Sequence, residues 1–319
     1  MKRILLGALV IGGCVSEQPA ALNPNSDGGT AGQDAAQTSP DSGAVVPAVT
    51  WHKDVRALVE KRCANCHQDG EIGPFNLVDY ASVYAVRQAV ASSVQNGTMP
   101  PWQAAKGCND YEGDYSLTES EKQAIVSWVD QGAPEGDAAD YRAPEIAQTG
   151  LSRVDLTMTM PVDYLPQARP DDYRCFLIDW PEQEPRYITG FGVEPGNRKV
   201  VHHVIAFLIE PQLVERFRAK DAREEGPGYT CFGGPGEIMN GVQWIGSWAP
   251  GGRGADLPAD TGILVPPGSV VAMQVHYNTL VETPQLDRTS ITFKLDDEVA
   301  KPSLWLPWTN PFWVNNSMP

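Results

Sequence analysis

One five-residue motif constrains this chain more than any other feature. Two cysteines are separated by two residues and followed directly by a histidine, in the order Cys63-Ala64-Asn65-Cys66-His67. This spacing is typical of covalent haem c attachment. Two thiols add to the vinyl groups of the porphyrin, and the next residue offers its imidazole to the iron. The motif therefore predicts haem on Cys63 and Cys66, with His67 as an iron ligand.

Two other interpretations of the same motif are a redox pair followed by an unrelated histidine, and one half of a zinc site. A zinc site of this kind needs a second pair of closely spaced cysteines, and the sequence has no other CxxC. Haem c is attached outside the cytoplasm, so export of the chain favours the haem interpretation.

The N-terminus predicts export. Lys2 and Arg3 precede a short apolar run over residues 4–11, and Gly12 and Gly13 lead into Cys14. The run is too short for a final membrane span. Residues 1–13 resemble a bacterial lipoprotein signal peptide, which implies lipidation of Cys14; an ordinary signal peptide is the alternative.

Residues 14–48 are predicted to form a disordered, lipid-anchored tether. The stretch 15–50 contains no aromatic residue, Lys or Arg, and it cannot bury enough apolar surface to fold. We therefore expect the protein in the bacterial cell envelope, held at a membrane by its lipid on the periplasmic or outer surface.

The charge of the chain excludes one class of partner. The formal net charge is −16 at pH 7, whereas nucleic-acid binding needs clustered Lys and Arg. Residues 107–145 hold ten acidic side chains against Lys122 and Arg142. This stretch is either a solvated surface or a docking face for a basic electron-donor protein.

Residues 49–140 show helical patterning around the motif. Apolar residues recur at intervals of three and four before Cys63 and again between Val83 and Val94. Thr118 and Glu121 form a capping box before a third amphipathic stretch. Three short helices around CxxCH resemble a small class I cytochrome c domain.

A second iron ligand is expected near the prolines that follow the second helix. Met99 precedes Pro100 and Pro101, and a Met/His pair on haem iron raises its reduction potential. The alternatives are that Met99 only fills the core, or that His52 is the ligand. His52 lies at the start of the first helix, where a capping or surface role is expected.

Residues 150–319 have the patterning of an antiparallel β-sandwich or barrel. Predicted strands rich in Val, Ile, Phe and Tyr are separated by Gly and Pro clusters. They span residues 173–179, 187–193, 199–209, 270–278 and 289–295. No segment of this region reaches eighteen uninterrupted apolar residues.

Three of the five histidines lie within these strands, namely His202, His203 and His276. Burying an imidazole without a partner is costly, and three neutral imidazoles make a good copper or zinc site. Adjacent residues of a flat strand point to opposite faces. His202 and His203 therefore share a metal only if their strand is distorted, and structural histidines remain the alternative.

The order of several motifs resembles the N-terminal domain of the copper type II, ascorbate-dependent monooxygenases, which include peptidylglycine α-hydroxylating and dopamine β-monooxygenases. The resemblance runs from Asp172 to about Trp313. The motifs are Asp172-Tyr173-Arg174-Cys175, His202-His203, Gly246-Ser247-Trp248-Ala249-Pro250-Gly251-Gly252, Pro266-Pro267-Gly268 and Gln274-Val275-His276-Tyr277. It implies a jelly-roll-like sandwich with one copper on His202, His203 and His276.

In that family a second domain supplies an oxygen-activating copper on two histidines and a methionine. After the haem and first copper ligands are assigned, only His52 remains. The expectation is therefore a redox protein in which haem feeds the three-histidine copper, fed by a donor protein or an ascorbate-like reductant. Monooxygenase activity on a small-molecule substrate is implied by resemblance, and a non-catalytic electron-transfer or copper-binding lipoprotein is the alternative.

Export also makes a disulfide the default state of paired cysteines. The β-rich part contains Cys175 and Cys231, which are predicted to pair. Cys108 is then free or bonded across domains.

Overall fold

The computed structural model describes residues 48–102, 104, 109–111, 113–145, 150–236, 241–280 and 285–304. The predicted signal peptide, the lipidation site Cys14 and the tether up to residue 47 lie outside these ranges, as do Cys108 and the C-terminal residues 305–319. Within the described ranges no helix has the length and apolar composition needed to cross a bilayer.

Short helices form the first region. A π-helical turn, Trp51–Val55, leads into α1 (Arg56–Arg62), and α2 (Tyr80–Ala85), α3 (Arg87–Gln95) and α4 (Glu119–Asp130) follow. A 3-10 turn, Ala138–Asp140, comes after α4. These elements surround one apolar cluster. Its largest buried side chains include Trp51 and Trp128, whose ring centroids lie 5.8 Å apart.

The helix boundaries follow the signals in the sequence. Thr118 and Glu121 make both hydrogen bonds of the predicted capping box, and Gly97 and Gly132 adopt positive φ angles just beyond α3 and α4. One difference is a break at Val86, where the predicted second helix divides into α2 and α3. The assignment of this region to the cytochrome c fold stays a prediction.

Two sheets form the second region. Its strands are β1 (Leu156–Thr159), β2 (Asp171–Asp179), β3 (Arg186–Glu194), β4 (Val201–Ile209), β5 (Tyr229–Thr230), β6 (Val242–Trp248), β7 (Ala255–Asp256), β8 (Thr261–Val265), β9 (Val270–Asn278), β10 (Ser290–Asp296) and β11 (Lys301–Ser303). One sheet has the order β1-β10-β3-β8-β11, with β7 also paired to β3, and the other has the order β5-β2-β9-β4-β6. The pairings are antiparallel except for β8 with β11.

The sheets share an apolar core, as expected for the predicted sandwich. They approach closely at Gly246 of β6, because a Cβ placed there would lie 2.3 Å from the ring of Phe191 on β3. All five predicted strands are present. Strands β1, β6 and β8 were not predicted, nor was the helix α5 (Val214–Asp221) that follows a 3-10 turn, Pro211–Leu213.

The outer face of the five-stranded sheet carries a second, smaller apolar cluster, which includes Phe207 and the disulfide-bonded Cys175 and Cys231. Strands β2, β4 and β9 are therefore buried on both faces. This explains why β4 and β9 read as largely apolar runs rather than as alternating patterns.

Candidate metal centre

Three imidazoles meet on the outer face of the five-stranded sheet. His203 of β4 lies directly opposite His276 of β9. The Nδ1 atom of His276 lies 3.1 Å from Nδ1 of His202 and 3.1 Å from Nδ1 of His203, and the last two atoms lie 3.4 Å apart. One ring nitrogen from each residue therefore points to a common centre.

Adjacent residues of a flat strand face opposite ways, but a β-bulge in β4 lets His202 and His203 face the same centre. Val201 pairs with Tyr277 and His203 pairs with His276, so His202 is an extra residue in β4. A bulge of this kind redirects a side chain. The bulge brings the imidazole of His202 to the same centre as that of His203.

The spacing of the three nitrogens fits a metal ion. Ligand nitrogens about 2.0–2.1 Å from a tetrahedral metal lie about 3.3 Å from one another, close to the observed 3.1–3.4 Å. Among the residues that the structure describes, this is the single group of three metal-binding side chains whose ligand atoms converge. Three imidazoles suit copper or zinc.

The surroundings keep His202 and His203 neutral, as a metal ligand must be. Burial, reinforced by His276 and His202, lowers the pKa of His203 to about 4. Burial and the nearby His276 also lower the pKa of His202. Both side chains therefore present a free lone pair at neutral pH.

Two residues at the start of β2 orient His276. Asp171 places Oδ1 2.8 Å from Nε2 of His276. The carboxylate can only accept a hydrogen bond, so Nε2 carries the proton and Nδ1 keeps its lone pair for a metal. The ring of Tyr173 stacks on that of His276, with centroids 4.0 Å apart and 4° between the planes.

Sequence reasoning placed Tyr173 in a family motif and missed Asp171 altogether. Asp171 lies on the same face as Tyr173 and diagonally across from His276. Only the register between β2 and β9 brings this pair together, because the two residues are 105 positions apart in the chain. The signal in the sequence is an acidic residue at the start of an apolar strand, which is too common to identify a site.

The CxxCH motif forms a compact turn at the end of α1. The backbone amides of Cys66 and His67 both donate to the carbonyl oxygen of Cys63, at 3.1 and 3.0 Å. Both thiols are free of a disulfide. Burial raises the pKa of Cys63 to about 12 and raises that of Cys66, so both thiols are protonated at neutral pH.

The imidazole of His67 is oriented by its own loop. Its Nδ1 lies 3.1 Å from the carbonyl oxygen of Phe75, which can only accept, so Nδ1 carries the proton and Nε2 is left with a lone pair. Gly73 packs so closely that a Cβ there would lie 2.7 Å from Nδ1 of His67. Two unbonded thiols and an imidazole with a free Nε2 fit the donor set that haem c needs.

The two proposed second ligands lie in different settings. Met99 is 44% exposed and is absent from the helical apolar cluster, so it is not the core filler that was its alternative role. His52 lies in the first helical turn with Nε2 3.6 Å from a carboxylate oxygen of Glu135, and it does not cap the helix. Met99 stays a predicted iron ligand.

The predicted disulfide is present. Cys175 on β2 is bonded to Cys231, which follows β5, and the bond closes a loop of 56 residues. The buried side-chain amide of Gln274, on β9, donates to the carbonyl oxygen of Cys231 at 2.5 Å. The bond thus links the loop over the outer face to the strand beside β9.

Comparison with protein families supports the resemblance for part of the chain. Residues 156–283 match the model of the copper type II ascorbate-dependent monooxygenase N-terminal domain. The match begins at β1 and includes the three histidines, Asp171 and the disulfide. It does not extend to the helical region. A comparison with curated proteins found no match.

Proposed function

We propose that this chain is a redox protein of the cell envelope in which haem on the CxxCH motif supplies electrons to copper on His202, His203 and His276. The observation that carries the proposal is the convergence of three Nδ1 atoms within 3.4 Å of one another. These atoms lie inside the region that matches a copper domain.

The copper half of the proposal follows from the donor set. Three neutral imidazoles hold both Cu(II) and Cu(I), so a bound copper accepts and returns one electron. The chain itself positions the ligands. The bulge in β4 directs the imidazole of His202 toward those of His203 and His276, and Asp171 sets the tautomer of His276. The stacked ring of Tyr173 limits rotation of that imidazole.

The haem half rests on the helical region. Free thiols at Cys63 and Cys66 and the oriented imidazole of His67 support the proposal. These residues would hold the haem, and Met99 is the proposed second ligand of its iron. Haem of this kind exchanges single electrons. When bound, haem on Cys63, Cys66 and His67 would supply single electrons, and copper on the three histidines would accept them.

The location of the protein is part of the same proposal. Haem c attachment and the disulfide between Cys175 and Cys231 both suit an oxidising compartment outside the cytoplasm. We propose that Cys14 carries a lipid that holds the protein at a membrane. A donor protein or an ascorbate-like reductant would re-reduce the haem.

A second candidate function is non-catalytic electron transfer or copper binding, without oxygenation of a substrate. The sequence has five histidines, and within the described residues one three-ligand cluster is found. Oxygenation in the resembling family uses a second copper centre. Hydroxylation of a small molecule in that family's way would therefore need a second copper centre in addition to the three-histidine group.

Anaerobic stopped-flow reduction tests the main proposal. With a limiting one-electron reductant, we expect the haem band to appear before the Cu(II) signal is lost. In the haem-free double variant Cys63→Ala/Cys66→Ala, copper reduction should slow strongly. Equally rapid copper reduction without haem would contradict the proposal, and product formation from peptide, amine or phenethyl substrates by this chain alone would exclude the second candidate.

A further inference from the structure

The loop that follows His67 is in contact with the β-rich region. Glu71 lies 3.4 Å from the guanidinium of Arg198, in the turn between β3 and β4. The side chain of Glu71 is 15% exposed and that of Arg198 is 43% exposed. This ion pair joins the CxxCH loop to a residue four positions before His202.

A second contact lies beside the motif itself. A Cβ placed on Gly251 would lie 3.5 Å from Sγ of Cys66, so the backbone of this turn adjoins one of the two thiols. The turn is fixed from within, because Nε1 of Trp248 donates to the carbonyl oxygen of Gly252 at 2.7 Å. Trp248 itself is buried in the core of the sandwich.

Both contacts involve residues close to β4, the strand that carries His202 and His203. Arg198 is at most about 14 Å along the chain from His202, since each residue spans no more than about 3.6 Å. Trp248 is paired with Val204, the neighbour of His203. The two contacts therefore reach β4 from its preceding turn and from its neighbouring strand.

Complementary charges line the space between the two regions. A cleft of about 380 Å³ separates them at this point. Glu71 lines it on the helical side, and Arg198, Arg253 and Glu194 line it on the other; of these, Arg198 pairs with Glu71.

We propose that Glu71, Arg198 and the turn at Gly251 form a built docking interface that holds the CxxCH loop beside the three-histidine group. The proposal rests on the haem and copper proposed above, and it adds the residues that keep the two sites together. Electron exchange across this interface is intramolecular, so its rate does not depend on protein concentration.

The test reverses one charge, because an isolated and partly exposed ion pair is weak and its simple removal has little effect. Three full-length variants are compared with the wild type: Arg198→Glu, the charge swap Glu71→Arg/Arg198→Glu, and Arg218→Glu as a control. Arg218 pairs with Asp179, the last residue of β2, whereas Asp171 is its first residue. The control variant therefore removes an exposed ion pair that lies away from the histidines.

Amide hydrogen exchange measured by mass spectrometry reports whether the two regions dock, and it can be done on protein that holds neither haem nor copper. In Arg198→Glu we expect several-fold faster exchange in peptides covering residues 65–73 and 249–253, restoration in the charge swap, and no change in Arg218→Glu. In haem- and copper-loaded protein, the rate of copper reduction by haem should fall several-fold in Arg198→Glu and recover in the swap.

Unchanged exchange in Arg198→Glu, or a transfer rate in the wild type that rises in proportion to protein concentration, would overturn the docking interface. Failure of the wild-type chain to hold haem or copper would contradict the proposed function instead. The exchange measurement would still decide whether the two regions dock, because it needs neither cofactor.

Discussion

The two candidate metal-binding regions are built in opposite ways. The CxxCH site is local: its three donor residues lie within five positions and one turn at the end of α1. The three-histidine site joins residues up to 74 positions apart through the pairing of β4 with β9. The first site is recognisable from consecutive residues, whereas the convergence of the second group is seen only in the fold, where its three ring nitrogens lie together.

This difference predicts how each site responds to change. A local motif loses its cofactor when its own residues change and leaves the rest of the chain intact. A site assembled by strand pairing depends also on residues outside the group of ligands, such as Asp171 and the disulfide on the same face of the sheet.

The largest expected effect separates the two sites. Replacing both thiols, Cys63→Ala/Cys66→Ala, should abolish covalent haem because no thioether bond can form. Copper content should stay at the wild-type level, since the histidines lie in the other region. Haem staining of denatured protein together with metal analysis measures both, and loss of copper in this variant would show that the sites are not independent.

Removal of one imidazole should have the converse effect. In His276→Ala one of the three converging nitrogens is lost, and Nδ1 of His276 lies 3.1 Å from each of the other two. We expect copper to be lost at equimolar supply while haem is retained. Metal analysis after dialysis checks this, with His52→Ala as the matched control; equal copper loss in the control would count against the three-histidine site.

The disulfide should matter to the sandwich alone. The bond between Cys175 and Cys231 closes a loop of 56 residues, for which the chain-entropy model gives about 4 kcal/mol of stabilisation. A Cys175→Ala/Cys231→Ala variant should therefore lower the free energy of unfolding of the β-rich region by about that amount. Denaturant unfolding followed by the tryptophans of the β-rich region should shift to lower denaturant concentration, while the unfolding transition of the helical region should not move. A shift of both transitions together would show that the two regions unfold as one cooperative unit.

A smaller effect is expected from the residue that orients His276. Asp171→Asn keeps the size of the side chain but replaces the charged acceptor of the Nε2 proton. Partners of ligating histidines typically contribute about 10–100-fold to metal affinity. Competition with a copper chelator should show a loss in that range, and Asp163→Asn, on an exposed ion pair of the same region, should show none.

The smallest effect concerns the helical region. Thr118 accepts a hydrogen bond from the backbone amide of Glu121 at the start of α4, and loss of such a cap costs about 1 kcal/mol. Thr118→Ala should lower the stability of the helical region by that amount and leave the sandwich unchanged. Thr118→Ser, which retains the acceptor, should recover most of the loss.

The sequence predicted local features well. The capping box at Thr118, the stop at Gly132 and the central strands β4 and β9 all appear where local patterns indicated them. Strand β6 was missed because glycines interrupt its apolar pattern, although Gly246 is required where the sheet meets Phe191.

What the sequence could not provide was long-range register. The bulge at His202 depends on how β4 pairs with β9, and Asp171 meets His276 only through the pairing of β2 with β9. The sequence singled out the three histidines as a candidate metal site, and the structure brings their ring nitrogens together. Their convergence was left open, because a flat strand would have placed His202 and His203 on opposite faces.

The central claim is that the three histidines form a copper site in a chain that also carries haem. The most direct test is the haem and copper content per chain of protein matured with haem and then supplied with copper, beside His202→Ala. The account predicts one haem and one copper in the wild type and one haem without copper in the variant. Haem without copper in the wild type, or copper retained in His202→Ala, would contradict it.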